Sequence, residues 1–248
     1  MLIDTHCHLS NEDYDNLDEV IKSMKGIMIA SWCDDKTNKE VLELIEKYPN
    51  VYGTLGIHPS EIDSISSESF EIIEKNINNP KIVAIGEIGL DYYWVKDNKK
   101  KQKEIFIKQL ELAQKYNKPV VIHTRDSVQD AYDILKQYKL KGTIHCFSSS
   151  LEMAKEFIKI GYKIGLGGVI TFKNSVKLQE IVKELDLKDI LIETDSPYLT
   201  PEPYRGKRNK PENVYYVAKK ISELKDIKIE DVITITGNNA IEQFDLNL

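Results

Sequence analysis

Residues 2–8 of the chain read Leu-Ile-Asp-Thr-His-Cys-His, a short apolar run that ends in two histidines. Side chains alternate across a strand, so His6 and His8 share one face of the predicted strand and Cys7 occupies the other. Each of the chain's five histidines ends a run of this kind, which packing alone does not explain. The histidine-bearing strand end is therefore the motif from which we predict both the fold and the site.

Seven further runs rich in apolar and β-branched residues follow, separated by helical patterns such as 103–116, where Phe106, Leu110 and Ala113 recur at helical spacing. This alternation indicates a parallel sheet, and eight repeats favour a closed α/β barrel over a doubly wound open sheet. The sequence also lacks the GxGxxG turn of a dinucleotide-binding open sheet. The eight predicted strands cover residues 2–8, 26–32, 51–58, 82–87, 120–123, 143–146, 162–165 and 190–195.

The length and composition agree with one barrel. We predict a single domain over residues 1–248, since such barrels typically need about 250 residues, and the 41% hydrophobic and 30% charged residues are ordinary for a globular protein. A net charge of −6 argues against a generic polyanion-binding surface, although it does not describe one cleft. Neither a signal peptide nor a membrane span is recognisable, and three cysteines without a CxxC pair predict free thiols. We therefore expect a cytoplasmic protein with no membrane association and no obligate protein partner.

Four histidines and two acids lie at predicted strand ends, and the carboxyl ends of barrel strands form the active face. Because six ligands exceed the needs of one tetrahedral ion, we predict two divalent ions bridged by Glu87. One site takes three further ligands from the first and eighth strands, and the other takes two from the fifth and sixth. Zinc, manganese, iron and magnesium all remain open as the metal. The predicted metal ligands are His6, His8, Glu87, His123, His145 and Asp195.

Glu87 and Asp195 are also the predicted catalytic carboxylates. A bound divalent ion lowers the pKa of its water, and paired ions stabilise an in-line displacement at phosphorus. Asp195 is placed to orient or deprotonate that water, and a role as a plain ligand is equally open. Asp4 shares the strand parity of His6 but lies deeper, so we expect structural hydrogen bonding and leave it outside the site.

Two further candidates for substrate binding lie at the end of the third predicted strand and just beyond the fifth. His58 is too many strands from the other histidines, by this interpretation, to be a seventh ligand. It is either a donor to a substrate phosphate or a capping histidine. Arg125 follows His123 by two residues and shares its strand face if the strand continues that far. It either reaches a nonbridging phosphate oxygen or forms an ion pair with Asp91 or Asp126.

Basic clusters follow the fourth and eighth strands, at the predicted active face. In the second cluster Arg205 is the preferred phosphate contact, because its Pro- and Gly-containing loop suggests a shaped turn. The first cluster, which contains Lys101 and Lys103, is more typical of solvated charge. Nearby, Tyr92, Tyr93 and Trp94 form either a stacking platform for an unpaired base or ordinary packing.

The ordered set of motifs is highly specific: IDTHCH at 3–8, GIHP at 56–59, GEIGLDYY at 86–93, VIHTRD at 121–126, HCFS at 145–148, ETDSPYLTP at 193–201 and RGKRNKP at 205–211. This set closely resembles the TatD family of metal-dependent deoxyribonucleases over nearly the whole chain. The resemblance implies a TIM-type (β/α)8 barrel of the metal-dependent hydrolase class, two divalent metals on the six ligands named above, and hydrolysis of DNA, typically from an end. Ser149 departs from the family pattern, which usually has glycine there.

The leading hypothesis is therefore a 3′-to-5′ exonuclease-like deoxyribonuclease whose substrate is DNA, including single strands or 3′ ends. One alternative is an ester or amide hydrolase such as a D-aminoacyl-tRNA deacylase. Such hydrolases of the wider barrel superfamily often bridge their metals with a carboxylated lysine, at the position that Glu87 occupies here. Another alternative is a non-catalytic nucleic-acid-binding barrel, against which the intact ligand set argues.

Overall fold

A computed structural model describes residues 1–94 and 96–248 of the chain. Its centre is an eight-stranded sheet in which every neighbouring pair is parallel and the strands follow sequence order. All eight predicted strands are present, with small differences at their ends. They are β1 (Ile3–Cys7), β2 (Ile27–Ala30), β3 (Val51–Leu55), β4 (Ile82–Asp91), β5 (Val120–Arg125), β6 (Gly142–Ile144), β7 (Tyr162–Leu166) and β8 (Ile190–Ile192).

The first and last strands lie side by side and bring the sheet close to a complete barrel. After β8, the backbone N–H of Asp195 donates to the carbonyl of His6 at 3.0 Å, and the carbonyl of Ser196 accepts the N–H of His8 at 2.7 Å. These bonds fasten the loop after β8 to β1. The predicted TIM-type (β/α)8 barrel is confirmed.

Helices alternate with the strands and cover the outside of the barrel. The predicted stripe of Phe106, Leu110 and Ala113 is buried, as the helical spacing required. No helix within residues 1–94 and 96–248 combines the length and apolarity needed to span a membrane. The helices are α1 (Leu17–Ser23), α2 (Asp35–Lys47), α3 (Ser67–Asn76), α4 (Lys99–Tyr116), α5 (Val128–Leu135), α6 (Leu151–Lys159), α7 (Val176–Glu184), α8 (Val214–Lys225) and α9 (Ile229–Phe244), with short 3-10 helices at Gly168–Thr171, Leu187–Asp189 and Pro211–Asn213.

Buried apolar residues form two layers, and β8 shows how they are divided. Ile190 and Ile192 belong to the large cluster between sheet and helices, whereas Leu191 belongs to a small cluster inside the barrel. Phe244 and Leu246, at the end of α9, join this inner cluster. The amino-terminal end of the barrel is therefore filled with apolar side chains, which leaves the opposite end for polar groups.

The three cysteines are free thiols, as predicted. Cys7 is buried in the outer layer, on the strand face opposite to the histidines of β1, as side-chain alternation requires.

Candidate metal centre

Strand-end side chains converge around Glu87 at the carboxyl end of the barrel. The Oε2 atom of Glu87 lies 3.3 Å from Nε2 of His6. Its Oε1 atom lies 2.9 Å from Nδ1 of His123 and 3.5 Å from Nε2 of His145. The two oxygens of one buried carboxylate thus face histidines from different sides of the barrel.

Asp195 provides a second carboxylate next to β1. Its Oδ1 atom lies 3.3 Å from Nε2 of His8, 3.7 Å from Nε2 of His6 and 3.9 Å from Nε2 of His145. The residue has a φ of +54°, in the left-handed region that aspartate tolerates better than most residues. The chain therefore turns sharply after β8 and keeps this side chain beside the histidines of β1.

The surroundings of His6 indicate that the cluster fits a divalent cation. His6 is fully buried, and neither ring nitrogen makes a well-aligned hydrogen bond to the described residues. A buried polar atom without a partner is costly unless another group binds it. Ligand atoms about 2.1 Å from one ion lie roughly 3.0–3.4 Å apart, close to the 2.9–3.9 Å separations between these nitrogen and oxygen atoms. The structure brings the six predicted ligands into one cluster, and their binding of metal stays a prediction.

Hydrogen bonds around the rings select which nitrogen each histidine offers. Nδ1 of His8 lies 2.7 Å from the carbonyl oxygen of Ser31, so it carries the proton and leaves the Nε2 lone pair beside Asp195. Nε2 of His123 lies 3.0 Å from Oδ2 of Asp91. A proton shared there leaves Nδ1, the atom next to Glu87, as the ligand atom of His123.

Glu193 contacts His145 in the way that Asp91 contacts His123, at the ring nitrogen that faces away from Glu87. The sequence analysis missed this role. Its Oε1 atom lies 2.9 Å from Nδ1 of His145 and accepts the backbone N–H of Cys146 at 2.6 Å. Glu193 is fully buried, and a Cβ at Gly165 would lie 2.7 Å from its Oε2 atom. Any residue with a side chain at position 165, on β7, would therefore displace this carboxylate.

Asp91 is the other supporting carboxylate that the sequence analysis did not assign. It is 1% exposed, and its Oδ2 atom contacts His123. Among the described residues, Arg125 forms an ion pair with neither Asp91 nor Asp126, the two partners that the sequence left open. A usable signal was present for both acids, since Asp91 follows Glu87 by four residues and Glu193 precedes Asp195 by two. An acid an even number of residues from a ligand shares its face wherever the chain between them stays extended.

The charges of the cluster depend on one another. Burial opposes ionisation of Glu87, but the neighbouring His145 and His6 hold the pKa of its carboxyl well below the usual value. Burial likewise opposes protonation of His145, but the carboxylates of Glu193 and Glu87 outweigh it and raise the pKa of the imidazole to about 10. Ionised carboxylates thus share their site with a protonated histidine. A divalent cation that binds there would displace the proton from the histidine, as metal binding to imidazole requires.

His58 lies within the cluster, so the expectation that it is too many strands away was wrong. Its Nε2 atom is 3.6 Å from Oε1 of Glu87, and its ring centroid is 4.4 Å from that of His123. Counting strands along the sheet overestimates distances across a narrow closed barrel. The backbone N–H of Ser60 donates to Nδ1 of His58 at 3.1 Å, which places the proton of the neutral ring on Nε2. Burial and the adjacent His123 lower the pKa of His58 to about 3, so the ring stays neutral.

The two predicted arginines occupy different places. Arg125 lines a cleft of about 490 Å³ together with His123, His145 and Asp195. Arg205 lies outside the cluster, with its guanidinium carbon 3.6 Å from the ring centroid of Phe172. Their binding of substrate stays a prediction.

Lysines of the first basic cluster pair with acids on the surface. Lys101 contacts Asp63 at 2.8 Å, and Lys103 contacts Asp130 at 2.7 Å. The structure therefore favours solvated charge for these two lysines. Asp4 also has the structural role expected of it, because its carboxylate accepts hydrogen bonds from the N–H and hydroxyl of Thr194 at 2.9 and 2.6 Å.

Comparisons with known proteins identify the family to which the chain belongs. The family described as TatD related DNase matches residues 3–245. The chain is 43% identical over 256 residues to YabD of Bacillus subtilis strain 168, named as an uncharacterized metal-dependent hydrolase, with all of both chains covered. The crystal structure of the TatD homologue YjjV from Escherichia coli K12 superimposes with a TM-score of 0.91 at 31% identity, over 99% of this chain and 98% of that one. A TatD family hydrolase from Entamoeba histolytica gives a TM-score of 0.87 at 25% identity, over 99% and 98%. The chain belongs to the TatD family of metal-dependent hydrolases.

Proposed function

We propose that this chain is a metal-dependent deoxyribonuclease that removes nucleotides from the 3′ end of DNA. The observation that carries the proposal is Glu87, whose two oxygens face different histidines across the barrel. A single buried carboxylate in that position suits a bridge between two cations. The family description as a DNase supports DNA as the substrate.

The six strand-end residues divide into two ligand groups around this bridge. His6, His8 and Asp195 form the group beside β1, and His123 and His145 form the group beside β5 and β6. Divalent ions held there would supply positive charge for a phosphate and a lowered pKa for the attacking water. The mixed nitrogen and oxygen donors, without a thiolate, suit zinc, manganese, iron or magnesium.

Asp195 is the residue that we assign to proton transfer. Its side chain is 14% exposed and lines the cleft, whereas that of Glu87 is 4% exposed. Burial alone would raise the pKa of Asp195, but the hydrogen bond to His8 and the charges nearby lower it, so the carboxylate is ionised and able to accept a proton. A water in the cleft would be oriented by this carboxylate and lose its proton to it.

Three cationic or donor groups are proposed to bind phosphates of the DNA strand. The imidazole of His58 is neutral, and its N–H at Nε2, beside Glu87, is available as a hydrogen-bond donor. Arg125 lines the cleft with His123, His145 and Asp195, and its planar guanidinium can bind two nonbridging oxygens. Arg205, outside the cluster, is assigned to a phosphate further along the strand.

The proposed reaction hydrolyses the last phosphodiester bond at the 3′ end of a DNA strand. The water oxygen forms a bond to phosphorus while the bond from phosphorus to O3′ breaks. The proton from water passes to Asp195, and the leaving O3′ takes a proton from solvent. The products are a nucleoside 5′-phosphate and a strand shortened by one nucleotide with a free 3′ hydroxyl.

Metal analysis of the purified protein, followed by assays with each divalent ion restored, tests the proposal. Single-stranded DNA, duplex DNA, RNA and D-aminoacyl-tRNA should be compared as substrates, and products should be identified by their ends. We expect release of 5′-mononucleotides from DNA 3′ ends. Preferred deacylation of aminoacyl-tRNA would replace the proposal with an esterase, and binding of DNA without hydrolysis under any ion would indicate a non-catalytic barrel.

Substitutions in the cluster provide the second test. Glu87→Gln and Asp195→Asn should each reduce DNA hydrolysis by more than about 100-fold, since loss of even an outer partner of a ligand costs about 10- to 100-fold. Glu74→Gln is the matched control, because Glu74 lies exposed on α3 and pairs with Lys115. Hydrolysis at the wild-type rate by either cluster variant would contradict the proposal.

A further inference from the structure

Two large aromatic side chains stand exposed immediately after β4. Tyr93 is 45% exposed and Trp94 is 68% exposed, and their rings meet edge to face with centroids 4.8 Å apart. Tryptophan is highly buried on average, and simple packing does not account for this exposure. Tyr92 is not part of this pair, because it is half-buried and its hydroxyl donates to Asp130 at 2.7 Å.

Arg125 joins the two rings to the cleft. Its guanidinium carbon lies 4.4 Å from the ring centroid of Tyr93 and 5.4 Å from that of Trp94. These are cation–π distances, and the contact holds a flexible side chain in one place. Because Arg125 also lines the cleft with His123 and Asp195, the aromatic pair lies at the rim of the candidate active site.

One carboxylate fixes the position of the aromatic pair relative to the metal cluster. Oδ1 of Asp91 accepts the backbone N–H of Tyr93 at 2.9 Å and that of Trp94 at 2.8 Å. Its Oδ2 atom is the one that lies 3.0 Å from His123. The side-chain amide of Gln102 in turn bonds both the N–H and the carbonyl of Asp91, each at 2.8 Å. The rim and the candidate ligand are therefore held by the same buried residue.

We propose that Tyr93, Trp94 and Arg125 form a base-binding subsite that stacks one unpaired nucleobase beside the phosphate in the cleft. The subsite rests on the proposed function and specifies its substrate as single-stranded or frayed DNA. An exposed indole and phenol offer apolar ring faces, while the guanidinium that contacts them also lines the cleft, where it could bind the attached phosphate. A base within a duplex is already stacked and must first leave its neighbours to enter such a subsite.

The test compares Trp94→Ala with Trp94→Phe, which keeps an aromatic ring. Stacking on an aromatic side chain contributes about 1–3 kcal/mol per base, or about 5- to 150-fold in affinity. The KM for single-stranded oligothymidylate should rise by that factor in Trp94→Ala and much less in Trp94→Phe. Tyr215→Ala is the matched control, since Tyr215 is an aromatic residue 43% exposed on α8.

A second substrate separates stacking from a general effect on the fold. An oligonucleotide with abasic residues at its 3′ end keeps the phosphates but offers no base to stack. The preference for base-bearing over abasic oligonucleotide should fall in Trp94→Ala. An unchanged KM, or an equal loss on both oligonucleotides, would overturn the subsite.

Binding measurements keep this test independent of hydrolysis. Fluorescence anisotropy of the two labelled oligonucleotides should be measured with Glu87→Gln, alone and combined with Trp94→Ala. If the wild-type protein cleaves no DNA, the proposed function fails, yet a base-dependent loss of binding in the double variant would still support the subsite. Equal binding of both oligonucleotides to Glu87→Gln would refute it.

Discussion

The two ends of the barrel interior are built from the same strands but have opposite chemistry. On β8, Leu191 lies in the apolar cluster at the amino-terminal end, and Glu193 follows two residues later beside the metal cluster. On β5, Val121 and His123 stand in the same relation. On these two strands, side-chain alternation keeps one stripe pointing inward, and position along the strand decides whether that stripe is apolar or polar.

This difference separates stability from chemistry within one interior. The apolar end loses no hydrogen bonds on burial and contributes about 25 cal/mol for each Å² of apolar surface removed from water. The polar end places ionisable groups in the same low-dielectric interior, where they are tolerated only because they pair with one another or bind a cation. We therefore expect substitutions at the two ends to change different measured quantities.

The largest effect is expected from Phe244→Ala, at the apolar end. Removing a buried aromatic ring costs about 3–5 kcal/mol, and Phe244 is 2% exposed within the inner cluster. Urea denaturation should show this loss while the folded fraction still binds metal. On the same helix, Ile235→Ala is the control, since Ile235 is 37% exposed and should change stability by about 0.5 kcal/mol or less. Equal losses of stability in the two variants would show that Phe244 does not pack in an apolar cluster at this end of the barrel.

Metal removal should produce the next effect, at the polar end. Manganese at 100 times its dissociation constant stabilises a folded site by about 2.7 kcal/mol, which for a chain of this size raises Tm by roughly 5–10 °C. Thermal unfolding before and after treatment with a chelator measures the shift. Glu87→Gln should abolish most of it, and a full shift in that variant would show that the cation binds elsewhere.

Glu193→Gln should have a smaller effect that is confined to the metal site. Loss of a carboxylate behind a ligating histidine typically costs about 10- to 100-fold in metal affinity, since Nδ1 of His145 would lose its charged partner. Calorimetric titration with manganese measures the affinity. Glu184→Gln, at the exposed end of α7, is the control. Unchanged affinity in Glu193→Gln would mean that His145 is held by packing alone.

Ile29→Val should cause the smallest loss of stability, and it tests whether a change at the apolar end leaves metal binding at the polar end unaffected. Ile29 is fully buried in the inner apolar cluster, and loss of one methylene costs about 0.5–1.5 kcal/mol. Metal affinity should stay close to that of the wild type. A tenfold change in metal affinity, with the expected stability loss, would show that the apolar end also sets the geometry of the cluster.

The sequence by itself determined the alternation of strands and helices and the strand ends at which the chemistry lies. Both are local properties, because side-chain alternation and helical spacing are repeated within a few residues. The parity of His6 and His8 with Cys7 on the opposite face needed no knowledge of the fold. Eight repeats then predicted closure, and with it the meeting of β1 and β8.

Only the tertiary structure decided which groups meet across the barrel. His58 was placed too far away because the width of a closed barrel cannot be read from separation along the chain. Glu193 and Asp91 were visible as acids, but their roles depend on the imidazole nitrogens opposite them. The position of Arg125 against Tyr93 likewise depends on how β4 and β5 end beside each other. Local patterns specify faces and strand ends, whereas distances and partners arise from the packing of residues remote in sequence.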